Sequence, residues 1–402
     1  MKNSVRRLII PLLAIGFIAG AAGFAFAAHM GALPALRTQA LPVLFGFGDD
    51  KPAAQAQAQV HEIHDDATFA KKTKAYSMMP YNKADLEFEL YLPAEWTAED
   101  TVVSTSGEVG ARITGPVAIF RSPMIGTQFA TATVEVLKLD FEVSARNWLK
   151  NHLTTSGFLP QGDVTEINNR SSAGAYITSS DGASKYCYIA ARISGSFVVI
   201  ARFESPLNLR GYLQYLQKKS IDSFKLLYPK EDSIEEQKVF TLVDSIKFNY
   251  PASWKVSNPD FRDMNRLIVE LRNLKPGTEG RWAITQGYIR LLAIRRQRVT
   301  DLMTEIDNMR KYFTETMSLE FKKMLSTGKS DAYGRFVFNR YEVYDVISKA
   351  AKIPTTQEIH LVVLGDKEWY IFAFLFTPKE TNELAMWGRN VQSFQEVIKS
   401  IK

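Results

Sequence analysis

Cysteine is almost absent from this chain of 402 residues, and Cys187 is the only one. An internal disulfide, a cysteine-built zinc site and an iron–sulfur cluster are therefore excluded. Histidine is scarce as well, at five residues, which leaves little for a histidine-rich metal centre. Catalytic signatures are missing too. There is no Gly-x-Ser-x-Gly elbow, and no Gly-x-Gly-x-x-Gly follows a strand pattern. Ser326-x-x-Lys329 lacks its companion Ser-Asp-Asn and Lys-Thr-Gly motifs. Gly328-Lys329-Ser330 has Lys323 where a phosphate loop needs its first glycine. Cys187, between Tyr186 and Tyr188, reads as a small buried hydrophobe. His152 falls on the apolar face of a helix pattern and His360 opens an apolar strand. No acid is placed beside either by the sequence. The expectation is a protein that is not an enzyme and takes no cofactor.

What is present is a globular composition, 46% hydrophobic, 12% aromatic and 23% charged, with a formal net charge of +6. Met1–Arg7 carries Lys2, Arg6 and Arg7, and Leu8–Ala28 has no charge. Ala25-Phe26-Ala27 has the small-x-small form of a signal-peptidase site. Residues 1–28 are thus a signal peptide or a membrane anchor, since the same stretch is long enough to span a bilayer. Either way the remainder is expected in the periplasm, soluble or anchored to the inner membrane. Residues 29–74 read as a low-complexity linker, apolar to residue 50 and an Ala/Gln-rich tether over 51–69. The metal candidate lies there, at His61, His64 and Asp65: histidines three apart share a helix face, and carboxylates follow.

Beyond the linker the chain repeats itself. Leu86–Trp96 alternates apolar and polar residues and turns at Pro93, and Ser245–Trp254 does the same. Pro93, Ala94 and Trp96 match Pro251, Ala252 and Trp254 at an offset of 158. The pattern predicts a strand entering a turn, with the tryptophan packed back on the sheet. A helix is expected from Ser144, an N-cap, to Gly157, a stop. Its counterpart has Leu302, Ile306, Met309 and Phe313 at helical spacing, running on to about Leu325. Strands are expected at 117–121, 129–138, 174–178, 186–193 and 198–203, and again at 266–271, 282–294, 335–344, 360–364 and 369–376. Closing helices end in Ile221-Asp-Ser-Phe-Lys225 and Ile398-Lys-Ser-Ile-Lys402, at an offset of 177. The fold class is α+β, with domains at 75–230 and 236–402.

The Leu-Tyr-Leu-Pro-Ala-Glu-Trp96 and Phe-Asn-Tyr-Pro-Ala-Ser-Trp254 segments, with the Ile-x-Ser-Phe-Lys closing helix, resemble the PsbP-like superfamily. That resemblance implies two tandem α/β/α sandwich domains with mainly antiparallel sheets. It also implies binding or assembly work without catalysis.

Within Arg272–Arg298 there are seven basic residues against one acidic, Glu279. Arg290, Arg295, Arg296 and Arg298 are the candidate partner-binding residues, because such a patch suits an acidic partner, anionic lipid or cell-wall polymer. Nucleic acid is not expected outside the cytoplasm. The functional expectation is a non-catalytic envelope binding or assembly protein, in an envelope or membrane complex such as a secretion or conjugation apparatus. The alternative is a periplasmic small-ligand or metal-binding protein.

Overall fold

The computed structural model describes residues 63–99, 116–180, 182–243, 246–278, 284–329, 336–349 and 355–402. Residues 1–28, read above as a signal peptide or membrane anchor, and His61 lie outside them. Among the described residues no helix is long and apolar enough to cross a membrane.

The first unit opens at Asp65. Its carboxylate accepts the Thr68 amide at 2.8 Å and caps helix α1 (Asp66–Lys72). Strand β1 (Thr73–Met78) follows and pairs with β2 (Phe88–Pro93). Residues 66–74 therefore belong to the folded unit and not to the linker. The reason is local: the Asp65 cap satisfies an amide that an uncapped helix start would leave bare, and Asp66 then holds Lys219 at 2.6 Å.

The main sheet of this unit runs β3 (Thr97–Glu99), β4 (Pro116–Arg121), β5 (Thr131–Lys138), β10 (Phe197–Pro206), β9 (Ala183–Ser194), β8 (Ser171–Ser180), β6 (Leu159–Pro160), with β7 (Thr165–Asn168) also on β8. Helix α2 (Ala145–Thr155) covers one face over Leu149, Leu153, Ile189 and Ile200. The other face is covered by α3 (Arg210–Ser223) and by the small sheet β1-β2-β11, where β11 is Lys225–Leu226.

The second unit repeats the plan. A ribbon of β12 (Gln237–Val243) and β13 (Ile246–Pro251) precedes a seven-stranded sheet. Its order is β14 (Trp254–Asp263), β15 (Arg266–Leu274), β16 (Thr285–Arg295), β20 (Trp369–Pro378), β19 (Thr355–Gly365), β18 (Phe338–Ser348), β17 (Leu319–Gly328). Helix α4 (Leu302–Met317) covers one face and α5 (Leu384–Ser400) the other. Both units are three-layered α+β sandwiches with antiparallel sheets. Trp96 and Trp254 pack inward as their spacing predicts, at 5% and 1% exposure, and Trp96 meets the Phe203 ring edge-on at 4.9 Å.

One helix boundary differs from expectation. Helix α4 ends at Met317, because Ser318 takes a left-handed conformation at φ 55°. The apolar residues that suggested continuation to Leu325 lie on β17, whose outer part from Lys322 to Gly328 is exposed. The residues added in the second copy are spread through it. Helix α4 has 16 residues against 11 in α2, and β17 has 10 against 2 in β6.

The units are clasped together. The Glu142 carboxylate accepts the Glu235 amide at 3.0 Å, and the Glu235 carboxylate accepts the Glu142 amide at 3.3 Å. Lys150 on α2 reaches Glu380 at 2.5 Å, and Arg389 on α5 lies over the Phe141 ring. Gly388 permits the close helix approach, since a Cβ there would sit 3.0 Å from Asn147 Cβ. Glu142 is 4% exposed. Burial pushes its carboxyl up to about 6, with Glu396 and Glu235 adding like charge and amide hydrogen bonds opposing.

Because the folded pKa lies above the ordinary 4.5, the native state binds the proton more readily than the unfolded chain. This carboxyl thus penalises the native state above pH 6, and the penalty is relieved as pH falls from 6 towards 4.5. Glu142→Gln keeps the acceptor oxygen without the charge. It is expected to be about 1 to 2 kcal/mol more stable than the parent at pH 7.5, discounted for solvent in the clasp, and equal to it near pH 4.5. Thermal unfolding of both proteins across that range checks this, and a difference that does not change with pH would refute it.

Candidate functional site

The sheet of the second unit ends in a concentration of arginine. Strand β16 finishes at Arg295, and Arg296–Arg298 forms one tight turn before Asp301 caps α4. Antiparallel pairing brings three further segments to the same end: the 365–369 turn between β19 and β20, the start of β18, and the end of β17.

Arg295 pairs with Glu368 at 2.8 Å and lies over the Trp369 ring at 4.2 Å. Arg296 donates to the Asp366 carbonyl at 3.0 Å and lies 5.5 Å from the Tyr370 ring centre. These aromatic contacts hold the guanidinium groups at the surface without discharging them. Arg296, Arg298 and Lys367 are exposed. Asp366 faces inward, accepting the Glu368 and Trp369 amides.

Apolar groups flank the charges. Val337 is 82% exposed. Phe338 meets Tyr370 edge-on at 6.4 Å, and Arg340 reaches the sulfur of Met303 at 3.3 Å. The arrangement offers exposed cations ringed by apolar contact area. That suits an acidic protein surface rather than a small substrate.

Arg290 departs from the expectation and does not join this cluster. Its side chain is 12% exposed, pairs with Glu270 at 2.6 Å, donates to the Tyr312 hydroxyl at 2.8 Å and lies 4.0 Å from the Tyr312 ring centre. The cause is strand alternation. Tyr288, Arg290 and Leu292 share the face beneath α4, so Arg290 is drawn under the helix and only partly exposed. Conversely, Val337, Phe338 and Lys367 escape a search for charge runs. They reach the arginine turn through strand pairing, and the only sequence signal is the Gly365-Asp-Lys-Glu turn before Trp369.

The residues suited to chemistry are occupied elsewhere. Cys187 is fully buried, and burial pushes its thiol up to about 12. His360 does have an acid beside it, contrary to the sequence reading. Glu358 lies 3.3 Å from its Nε2, and the Tyr341 hydroxyl 2.9 Å from its Nδ1. Strand spacing of two puts Glu358 and His360 on one face. Burial raises the Glu358 carboxyl, but hydrogen bonds from His360 and the Trp387 indole outweigh it and leave it below the usual range. Glu358 and His360 are both more than nine-tenths buried, so the group is part of the core beneath α5.

Of the metal candidates, Asp65 is engaged in capping α1 and His64 is exposed. Among the described residues no group of three or more His, Cys, Asp or Glu side chains is placed to hold a metal ion.

No family model matches the chain, and no curated protein matches it. Among solved structures it is similar to the cyanobacterial PsbP of Synechocystis sp. PCC 6803. The identity is 12% over 39% of this chain and 92% of that one, with a TM-score of 0.28. It is also similar to the immunity protein TplEi of the T6SS from Pseudomonas aeruginosa, at 13% identity over 82% and 96% of the two chains and a TM-score of 0.21. A chain of the Tle4–Tli4 complex matches at 12% identity over 83% and 97%, with a TM-score of 0.21. At such scores the likenesses decide nothing about function, which has to be read from the residues of this chain.

Proposed function

We propose that this chain is a non-catalytic binding protein of the cell envelope, exported through residues 1–28. Two tandem PsbP-like units form one body, and the arginine end of the second unit captures an acidic surface on a protein partner. The observation that carries this reading is the sheet end itself, where Arg296, Arg298 and Lys367 stand exposed beside Val337 and Met303. The burial of Cys187 and of the Glu358–His360 group favours binding over catalysis. An immunity role, as named for TplEi, is one concrete form of such a function, and identifying the captured partner decides it.

The test is affinity capture from envelope extracts with the full chain and with the Arg296→Glu, Arg298→Glu double variant. Both side chains are exposed, so stability is expected to stay within about 0.5 kcal/mol of the parent. Capture of the same partner is expected to fall at least about tenfold, and the parent's capture to weaken with added salt. A double variant that binds as well as the parent would remove the arginine end as the binding surface.

A further inference from the structure

The clasp between the units leaves a polar crevice of about 500 Å³. Sites for small ligands span roughly 300 to 1,000 Å³. One wall comes from the first unit and carries Arg170 and Arg192. The facing wall comes from the second half of α5 and carries Gln392, Glu396 and Lys399.

Arg192 is 8% exposed. Its Nη1 donates to the Ser172 and Ala191 carbonyls at 3.0 and 3.1 Å, and its guanidinium lies over the Phe224 ring. These contacts fix the plane of the group but leave its charge uncompensated. Among the described residues no carboxylate lies within salt-bridge distance of it. Asp222 acts only at longer range and is itself paired with Lys218 at 2.6 Å. Burial accordingly lowers Arg192 to about 10.

Arg170 is held in the same way. Its Nη2 donates to the Glu231 and Asp232 carbonyls, and its Nε faces the exposed Glu231 carboxylate at 3.4 Å. Its Nη1 is buried and has no hydrogen-bond partner. Arg170 thus keeps one counter-ion, Glu231, whereas Arg192 is a buried cation without one, which is costly, and the planar fork of a guanidinium matches a carboxylate.

The opposite wall carries one carboxylate, Glu396, one turn before the Lys399 cation. Among the described residues the Glu396 carboxylate accepts the Gln392 amide alone, at 2.7 Å, and the buried Glu142 of the first unit also lines the crevice. Asn168, Asn169 and Ser171 add neutral donors and acceptors to the lining beside Arg170.

We propose that this crevice binds a small zwitterion, an amino acid or dipeptide, with its carboxylate on Arg192 and Arg170 and its ammonium group towards Glu396 and Glu142. The site is separate from the arginine end of the second unit. Its occupancy would tie the two units together, because each supplies one wall.

Isothermal titration of the full chain with glycylglycine tests this. Saturable binding is expected, and blocking either charge, as glycylglycinamide or N-acetylglycylglycine, is expected to weaken it at least about tenfold. Arg192→Lys keeps the charge but loses the fork, and should cost a similar factor. Should that variant fail to fold, Glu396→Gln serves instead. It is expected to weaken glycylglycine while leaving N-acetylglycylglycine unchanged. No saturable heat up to about 10 mM glycylglycine overturns the proposal. So does equal binding of the amide, or sulfate binding as tightly as the dipeptide.

Discussion

Replacing Trp254 by alanine is expected to destabilise the second unit by about 3 to 5 kcal/mol. Trp254 is 1% exposed and sits in the core between sheet and α5, together with Leu271, Leu375 and Phe394. Truncation removes the largest side chain at the turn that leads from the β12–β13 ribbon into the main sheet, so the cavity would open where the two layers join. The indole N–H has no hydrogen-bond partner among the described residues. Packing, not polarity, is therefore what the residue supplies. Trp254→Phe retains most of that packing and is expected to cost only about 1 to 2 kcal/mol. Urea unfolding of the two variants separates these cases. Equal losses would show that something other than filled volume holds the ribbon in place.

Arg290→Ala is expected to cost a comparable 3 to 5 kcal/mol or so, and to leave partner capture by the folded fraction unchanged. The magnitude follows from the loss of a close counter-charge to a buried carboxylate. Glu270 is 8% exposed in its side chain, receives the Tyr288 hydroxyl at 2.6 Å and takes its closest ion pair from Arg290. Removing the cation takes the closest counter-charge from a buried carboxylate, whose contacts include the Tyr288 hydroxyl and the more distant Arg272 at 3.4 Å. A double-mutant cycle with Glu270→Ala should return a large coupling energy, because the second change removes the charge that the first one deprived of its closest partner. Capture measured alongside unfolding distinguishes Arg290 from Arg296 and Arg298. A stable Arg290→Ala protein with weakened capture would move Arg290 back to the surface role that its sequence neighbourhood suggests.

The elements legible in the sequence are those built from local patterns. Ser144 as a cap, Gly157 as a stop and the Trp96 and Trp254 turns were readable because each rests on a few adjacent residues. Strands β6, β7 and β12 were not, being short or exposed and thus without apolar alternation. Helix α4 was read too long because the apolar spacing past Met317 does not reveal a left-handed Ser318.

The site divides in the same way. Arg296 and Arg298 form a run that anyone can count, whereas Val337 and Lys367 reach them only through pairing of β18, β19 and β20. The crevice was less accessible still. Arg192 reads as one basic residue in an apolar strand, and its missing counter-ion shows only once Glu142 and Glu235 have brought the units together.

The strand order has a consequence for how the chain acquires its structure. At the centre of each sheet, β5 lies against β10 and β16 against β20, so Lys138 faces Phe197 and Arg295 faces Trp369. Hairpins such as β8–β9 and β18–β19 can form from neighbouring segments. The central seam cannot close until the intervening helix and strands have been gathered in, and closing such distant contacts is slow. Each unit should therefore pass through a stage with two half-sheets and an open seam, its buried strand edges briefly exposed to any other extended chain nearby.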